Sequence, residues 1–130
     1  MSRARLTFED FQERSKATAI YPVIHEELPL YAVLGLAGEA GEVCEKVKKI
    51  LRDKGGELDY EDTMAIAKEL GDCLWYISQI ASDMGLSLEA IACTNLNKIA
   101  NRQQSNTLSG SGDDRESAVY PIALDVYEEM

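Results

Sequence analysis

The chain has 130 residues, of which 45% are hydrophobic. That is the length of one domain, with the apolar content of an ordinary globular protein. Its net charge of −10, from 23 acidic against 13 basic residues, argues against nucleic-acid binding through a broad basic surface. A small anionic ligand remains compatible if metal ions mediate. Cys44, Cys73 and Cys93 are an odd number without metal-ligand spacing. Cys44 and Cys73 fall on apolar helical stripes, which predicts buried free thiols and fits a reducing cytosol. Met1-Ser2-Arg3-Ala4-Arg5 is followed by no apolar signal core, and no stretch reaches membrane-span length. The expectation is a soluble, cytoplasmic protein of a cell or of a virus-infected cell, with no membrane partner.

Thr7 to Ala19 reads as a short first helix. Thr7 suits the N-cap, and Glu9 and Asp10 lie in the first turn, where the helix dipole favours acids. Phe8, Phe11 and Ser15 form its thin inner face, and Tyr21-Pro22 stops it. The segment to Leu28 reads as a loop. It carries the only histidine, His25, whose ordinary role there is surface or packing.

Pro29 suits a helix start, and the second helix is expected from about Leu30 to Arg52. Leu30, Val33, Leu34, Ala37, Ala40, Val43, Cys44, Val47, Ile50 and Leu51 recur at spacings of three and four. Lys46, Lys48, Lys49 and Arg52 crowd its C-terminal half. Such a cluster is ordinarily solvated and complements the dipole; the alternative is a contribution to phosphate binding. Lys54-Gly55-Gly56 ends the helix. Asp59 or Tyr60 opens a third helix, continuing to about Met84. Ile66, Leu70, Cys73, Leu74, Ile77, Ile80, Ala81 and Met84 line its inner face, and Gly85 closes it. Trp75 and Tyr76 read as packing or subunit-contact residues rather than as base-stacking platforms.

These two helices carry two acidic pairs, Glu39-Ala40-Gly41-Glu42 and Glu69-Leu70-Gly71-Asp72. Residues three apart share a helix face. One such pair alone is ordinarily a solvated surface. Two pairs on adjacent helices, beside Gly35, Gly38, Gly41 and Gly71, point instead to close approach of a helix or a ligand. Four carboxylates cannot neutralise one another. A hard divalent cation, Mg²⁺ or Mn²⁺, would do so.

Ser87 is the expected N-cap of a fourth helix, with Glu89 in its first turn and a stripe of Leu88, Ile91, Ala92, Leu96 and Ile99. Asn95, Lys98 and Arg102 stand at i, i+3 and i+7, with Asn95 on the inward side between Ile91 and Ile99. A core amide is one reading of Asn95. The three in line look more like a site for a polar, anionic ligand. Beyond Asn101 the pattern breaks. Ser105 to Arg115 reads as a loop, and Ser117 to Met130 as a tail that packs on a neighbour. The fold class expected is all-α, a bundle of about four main helices. The whole of 1–130 forms one domain, with its core at about 29–104 and a loop and tail at 105–130.

Taken together, Gly38-Glu39-Ala40-Gly41-Glu42, then Glu69-Leu70-Gly71-Asp72 with Cys73-Leu74-Trp75-Tyr76, then Asn95, Lys98 and Arg102 resemble a MazG-like nucleotide pyrophosphohydrolase of the all-α NTP pyrophosphatase superfamily. The resemblance runs from about Pro29 to Arg115. Gly38 stands where many relatives carry another acid, which leaves the number of metal ions open. Gly110 to Arg115 resembles a loop of small relatives. What the resemblance implies is hydrolysis of a nucleoside triphosphate between its α and β phosphates, giving monophosphate and pyrophosphate. Glu39, Glu42, Glu69 and Asp72 would hold Mg²⁺, with Mn²⁺ as a substitute. Glu39 would accept the water proton, Lys98 and Arg102 would hold the phosphate tail, and Asn95 the sugar. No Walker-type loop is present. Asn95 and the inward apolar residues leave little space for a 2′-hydroxyl, which favours a deoxynucleotide such as dGTP, with dCTP and dUTP as further candidates. The alternatives are a dUTPase-like or phosphoribosyl-ATP pyrophosphohydrolase of the same superfamily, and a non-catalytic helical module with a structural cation site. A di-iron carboxylate bundle is disfavoured by the single histidine. Apolar residues nearly all round the second and third helices, among them Leu36, Ile50, Ala65, Trp75 and Tyr76, predict a homodimer or homotetramer.

Overall fold

The computed structural model describes residues 4–22 and 28–105. Across them run four helices: α1 (Phe8–Lys16), α2 (Leu30–Lys54), α3 (Tyr60–Asp83) and α4 (Leu88–Gln104), with no strand among the described residues. The fold is all-α, as the periodicity predicts. His25, the Gly110–Arg115 loop and the Ser117–Met130 tail lie outside the described residues.

Local chemistry sets the helix ends. Thr7 caps α1: its hydroxyl accepts from the Asp10 N–H at 3.0 Å, while the Asp10 carboxylate accepts from the Thr7 N–H at 3.2 Å. α1 ends at Lys16, one turn short of the expected Ala19, where the chain passes into a turn. Asp59 and Asp62 form the same reciprocal cap at the start of α3, and Lys54 binds both carboxylates at 2.8 and 2.6 Å. Ser87 caps α4 by accepting from the Ala90 N–H at 3.1 Å. Gly55 ends α2 with φ of 61°, a left-handed conformation that glycine adopts without steric cost.

α2 and α3, joined by a short turn, pack along one another; α1 packs on α3 and α4, and α4 on α1 and α3, while α2 meets neither α1 nor α4. The α1–α3 contact is largely polar. Gln12, almost wholly buried, donates to Ser82 Oγ at 3.1 Å and to the Leu86 carbonyl at 2.8 Å, and accepts from the Leu88 N–H at 2.9 Å. Ser15 and Ser78 share a buried hydrogen bond of 3.0 Å. The expected inner face of α1 is therefore turned: Gln12 and Ser15 are buried, Phe11 is half-buried and Phe8 is exposed. The polar groups win this interface because each finds a partner, which removes the cost of burying them.

Among the described residues the buried hydrophobic side chains are Ala32, Ile50, Ala81 and Leu88. Most of the predicted stripe of α2 lies open, with Leu34 and Leu51 each 63% exposed. The reason is geometric: among the described residues α3 is the only helix packed on α2, and one neighbour covers a narrower arc than the stripe spans. Cys44 is consequently exposed, against the expected burial, as is Cys93; Cys73 is half-buried, and all three are free thiols.

Candidate metal centre

α2 presents Glu39 and α3 presents Glu69 and Asp72 at one place between the two helices. Each offers a carboxylate oxygen, and these oxygens all lie within 4.8 Å of one another. Glu39 and Glu69 are half-buried and Asp72 is exposed. Burial pushes the Glu39 carboxyl above the ordinary carboxylate range. The Asp72 charge adds to this, as do a hydrogen bond to Glu69, which a protonated carboxyl can donate, and the charges of Glu69 and Glu42. The same crowding acts on neighbours. The Cys73 thiol is raised by burial and then by Glu39, Asp72 and Glu69. The Tyr76 phenol is raised by burial and then by Tyr31, Glu39 and Asp72.

The donor set fits a hard cation. Oxygens bound to one Mg²⁺ at about 2.1 Å lie up to about 4.2 Å apart. Oxygens already within 4.8 Å reach that spacing by small side-chain rotations. Glu42, the fourth expected ligand, is exposed and stands outside this compact group, though near enough to act on Glu39. The cationic line is placed apart from Glu39. Asn95, Lys98 and Arg102 lie on α4, which does not meet α2. Asn95 is exposed rather than inward, Lys98 is half-buried and Arg102 is buried. Leu96 and Ile99 beside it are exposed as well, so no neighbour among the described residues covers this face of α4.

Residues 29–106 match the MazG nucleotide pyrophosphohydrolase domain, a span that holds the acidic cluster and the whole of α2, α3 and α4. The chain belongs to the MazG nucleotide pyrophosphohydrolase family. A relative within reach of sequence comparison is the Gene 37 protein of Mycobacterium phage L5, 41% identical over 109 residues, or 81% of this chain and 96% of that protein. No solved structure matches.

Beside the cluster of this MazG domain stand a lysine and an aromatic group whose contacts spacing alone does not reveal. Lys46 Nζ stands 3.3 Å from Glu69 Oε1. It lies one helical turn past Glu42, a spacing that sets it apart from the other basic residues of α2. Tyr76 belongs to an aromatic group. Its ring meets Trp75 edge-on at 5.0 Å, Trp75 meets Tyr21 edge-on at 6.2 Å, and Tyr21 stacks on Tyr31 at 4.9 Å. Trp75 Nε1 donates to Thr18 Oγ1 at 3.0 Å and the Tyr21 hydroxyl to Asp83 at 2.7 Å. Trp75 and Tyr76 thus serve as packing residues. The pairing of Tyr21 with Tyr31 depends on a tertiary contact that spacing does not reveal.

Proposed function

We propose that the protein is a Mg²⁺-dependent nucleotide pyrophosphohydrolase that cleaves a nucleoside triphosphate, a deoxynucleotide such as dGTP being the expected substrate, to the monophosphate and pyrophosphate. The observation that carries this reading is the convergence of Glu39, Glu69 and Asp72 inside the residues that match the MazG domain. Those three, with Glu42 beside them, hold the cation. A divalent cation bound there neutralises phosphate charge and lowers the pKa of a coordinated water. Glu39 is the base: burial and its acidic neighbours raise its proton affinity, which suits it to take a proton from the attacking water. Water adds to the α-phosphorus, and the bond from that phosphorus to the α–β bridging oxygen breaks. Lys98 and Arg102 bind the phosphate tail and Asn95 the sugar.

The active unit is a homo-oligomer, a dimer or a tetramer. Support comes from the small buried core and from the exposed apolar side chains of α2 and α3, Val33, Leu34, Val47, Leu51 and Leu70 among them. The separation of α4 from α2 in one chain fits a pocket finished by a second subunit. The deciding experiment incubates the pure protein with each NTP and dNTP plus Mg²⁺ and separates the products. Monophosphate and pyrophosphate in equal amounts are expected. Diphosphate with free phosphate, or no product, would overturn the reading.

A further inference from the structure

Lys46 has no part in the chemistry assigned above, yet it touches the cluster. It lies on α2, one turn beyond Glu42 and two beyond Glu39, so it shares their side of the helix. Its Nζ is 3.3 Å from Glu69 Oε1, with the lysine side chain 34% exposed and that of Glu69 17%. Nearby lysines are used differently. Lys48 pairs with Glu45 in its own helix, and Lys54 with Asp59 and Asp62 at the α3 cap. Neither pairing involves the cluster.

We propose that Lys46 is a resident counter-cation: it holds Glu69 until a divalent cation takes that carboxylate, and its freed ammonium then binds a phosphate oxygen of the substrate. The inference rests on the metal and nucleotide reading given above. Three carboxylates within 4.8 Å repel one another, and a nearby ammonium relieves part of that repulsion. A divalent cation attracts the same oxygens more strongly and repels the ammonium, so the two compete for Glu69. Lysine is a compact charge on a flexible four-carbon stem. It can leave Glu69 by side-chain rotation alone. The anionic group that arrives with the cation is the substrate's phosphate chain, and a charge displaced from Glu69 is already beside it.

The test compares the full-length wild type with Lys46→Met and Lys46→Arg. Mn²⁺ binding without nucleotide is followed by electron paramagnetic resonance of the free ion, and KM for the nucleotide is measured at saturating Mg²⁺. Lys46→Met should bind Mn²⁺ about three- to tenfold more tightly, and its KM should rise about tenfold. Lys46→Arg keeps the charge and should stay near wild type in both. Unchanged or weaker Mn²⁺ binding by Lys46→Met overturns the counter-cation role, as would be seen if the lysine only fastened α2 to α3. An unchanged KM overturns the phosphate role. A wild-type protein that binds no Mn²⁺ defeats the metal reading itself and the inference with it, whatever the variants do.

Discussion

The ring of Tyr76 lies where a side chain on Gly35 would begin. A Cβ built on Gly35 would stand 2.6 Å from Tyr76 Cδ1, with Cε1 and Cζ closer still. Gly35 is one turn before Glu39 on α2, and Tyr76 one turn after Asp72 on α3. The contact therefore sets the spacing of the two helices next to the carboxylates. Gly35→Ala should push the ring away at an overpacking cost of about 1–3 kcal/mol, offset by about 1 kcal/mol of gained helix propensity. Denaturant unfolding of Gly35→Ala, Tyr76→Leu and the double variant measures this. The double variant should be more stable than the sum of the two single effects predicts; strict additivity would mean that the ring does not occupy this place.

Gly38 and Gly41 differ from Gly35 in having nothing within 4 Å of an added Cβ. In the proposed oligomer, close approach by another subunit would give these glycines a purpose. Gly41→Ala should then weaken self-association, seen as a lower average mass by light scattering at micromolar concentration, although alanine favours the helix. An unchanged or larger mass would place the subunit contact on another face.

Cation binding should be linked to protons with a definite sign. Burial and the neighbouring acids raise the Glu39 carboxyl in the folded chain. A raised carboxyl contributes stability at low pH, and that contribution is lost as the pH rises through its folded value. Added Mg²⁺ replaces the lost proton, so its stabilising effect should grow from acid toward neutral pH and be accompanied by proton release. At about a hundredfold excess over Kd the melting temperature should rise on the order of 10 °C. Thermal scans with Mg²⁺ and with chelator across that pH range check the trend. Full activity in excess chelator would contradict the metal-dependent reaction.

Glu39→Gln keeps the shape of the side chain and removes its basicity. Its kcat should fall by about two orders of magnitude or more while nucleotide still binds. Glu42→Gln, outside the compact group of oxygens, should lose less. Steady-state kinetics decide between them, and the reverse order would transfer the role of base to Glu42.

Much of this was readable from the chain because it depends on neighbours in sequence. Helix ends follow from local chemistry at Thr7, Asp59, Ser87 and Gly55, and helical spacing puts Glu69 and Asp72 on one face, where the packing of α3 on α2 brings Glu39 to them while Glu42 stays outside. Burial was less legible. The period of α2 marks which residues are apolar but does not say how many helices cover them, so Cys44 and Leu34 were expected inside and lie open. Asn95 turned outward for the same reason. The burial of Gln12 has no signal in the local sequence, because a buried amide is justified only by its partners, and those stand 70 or more residues away along the chain.

That glutamine also determines how the molecule comes apart. One side chain ties α1 to the end of α3, to the turn that follows and to the first amide of α4. Pulling Gln12 out of its place would strand a buried amide, so the four segments it joins would open together. In amide hydrogen exchange α1, the last turn of α3, the α3–α4 turn and the start of α4 would then exchange as one cooperative unit. The rest of the α2–α3 hairpin, which carries the carboxylates, would be free to keep a different, slower clock.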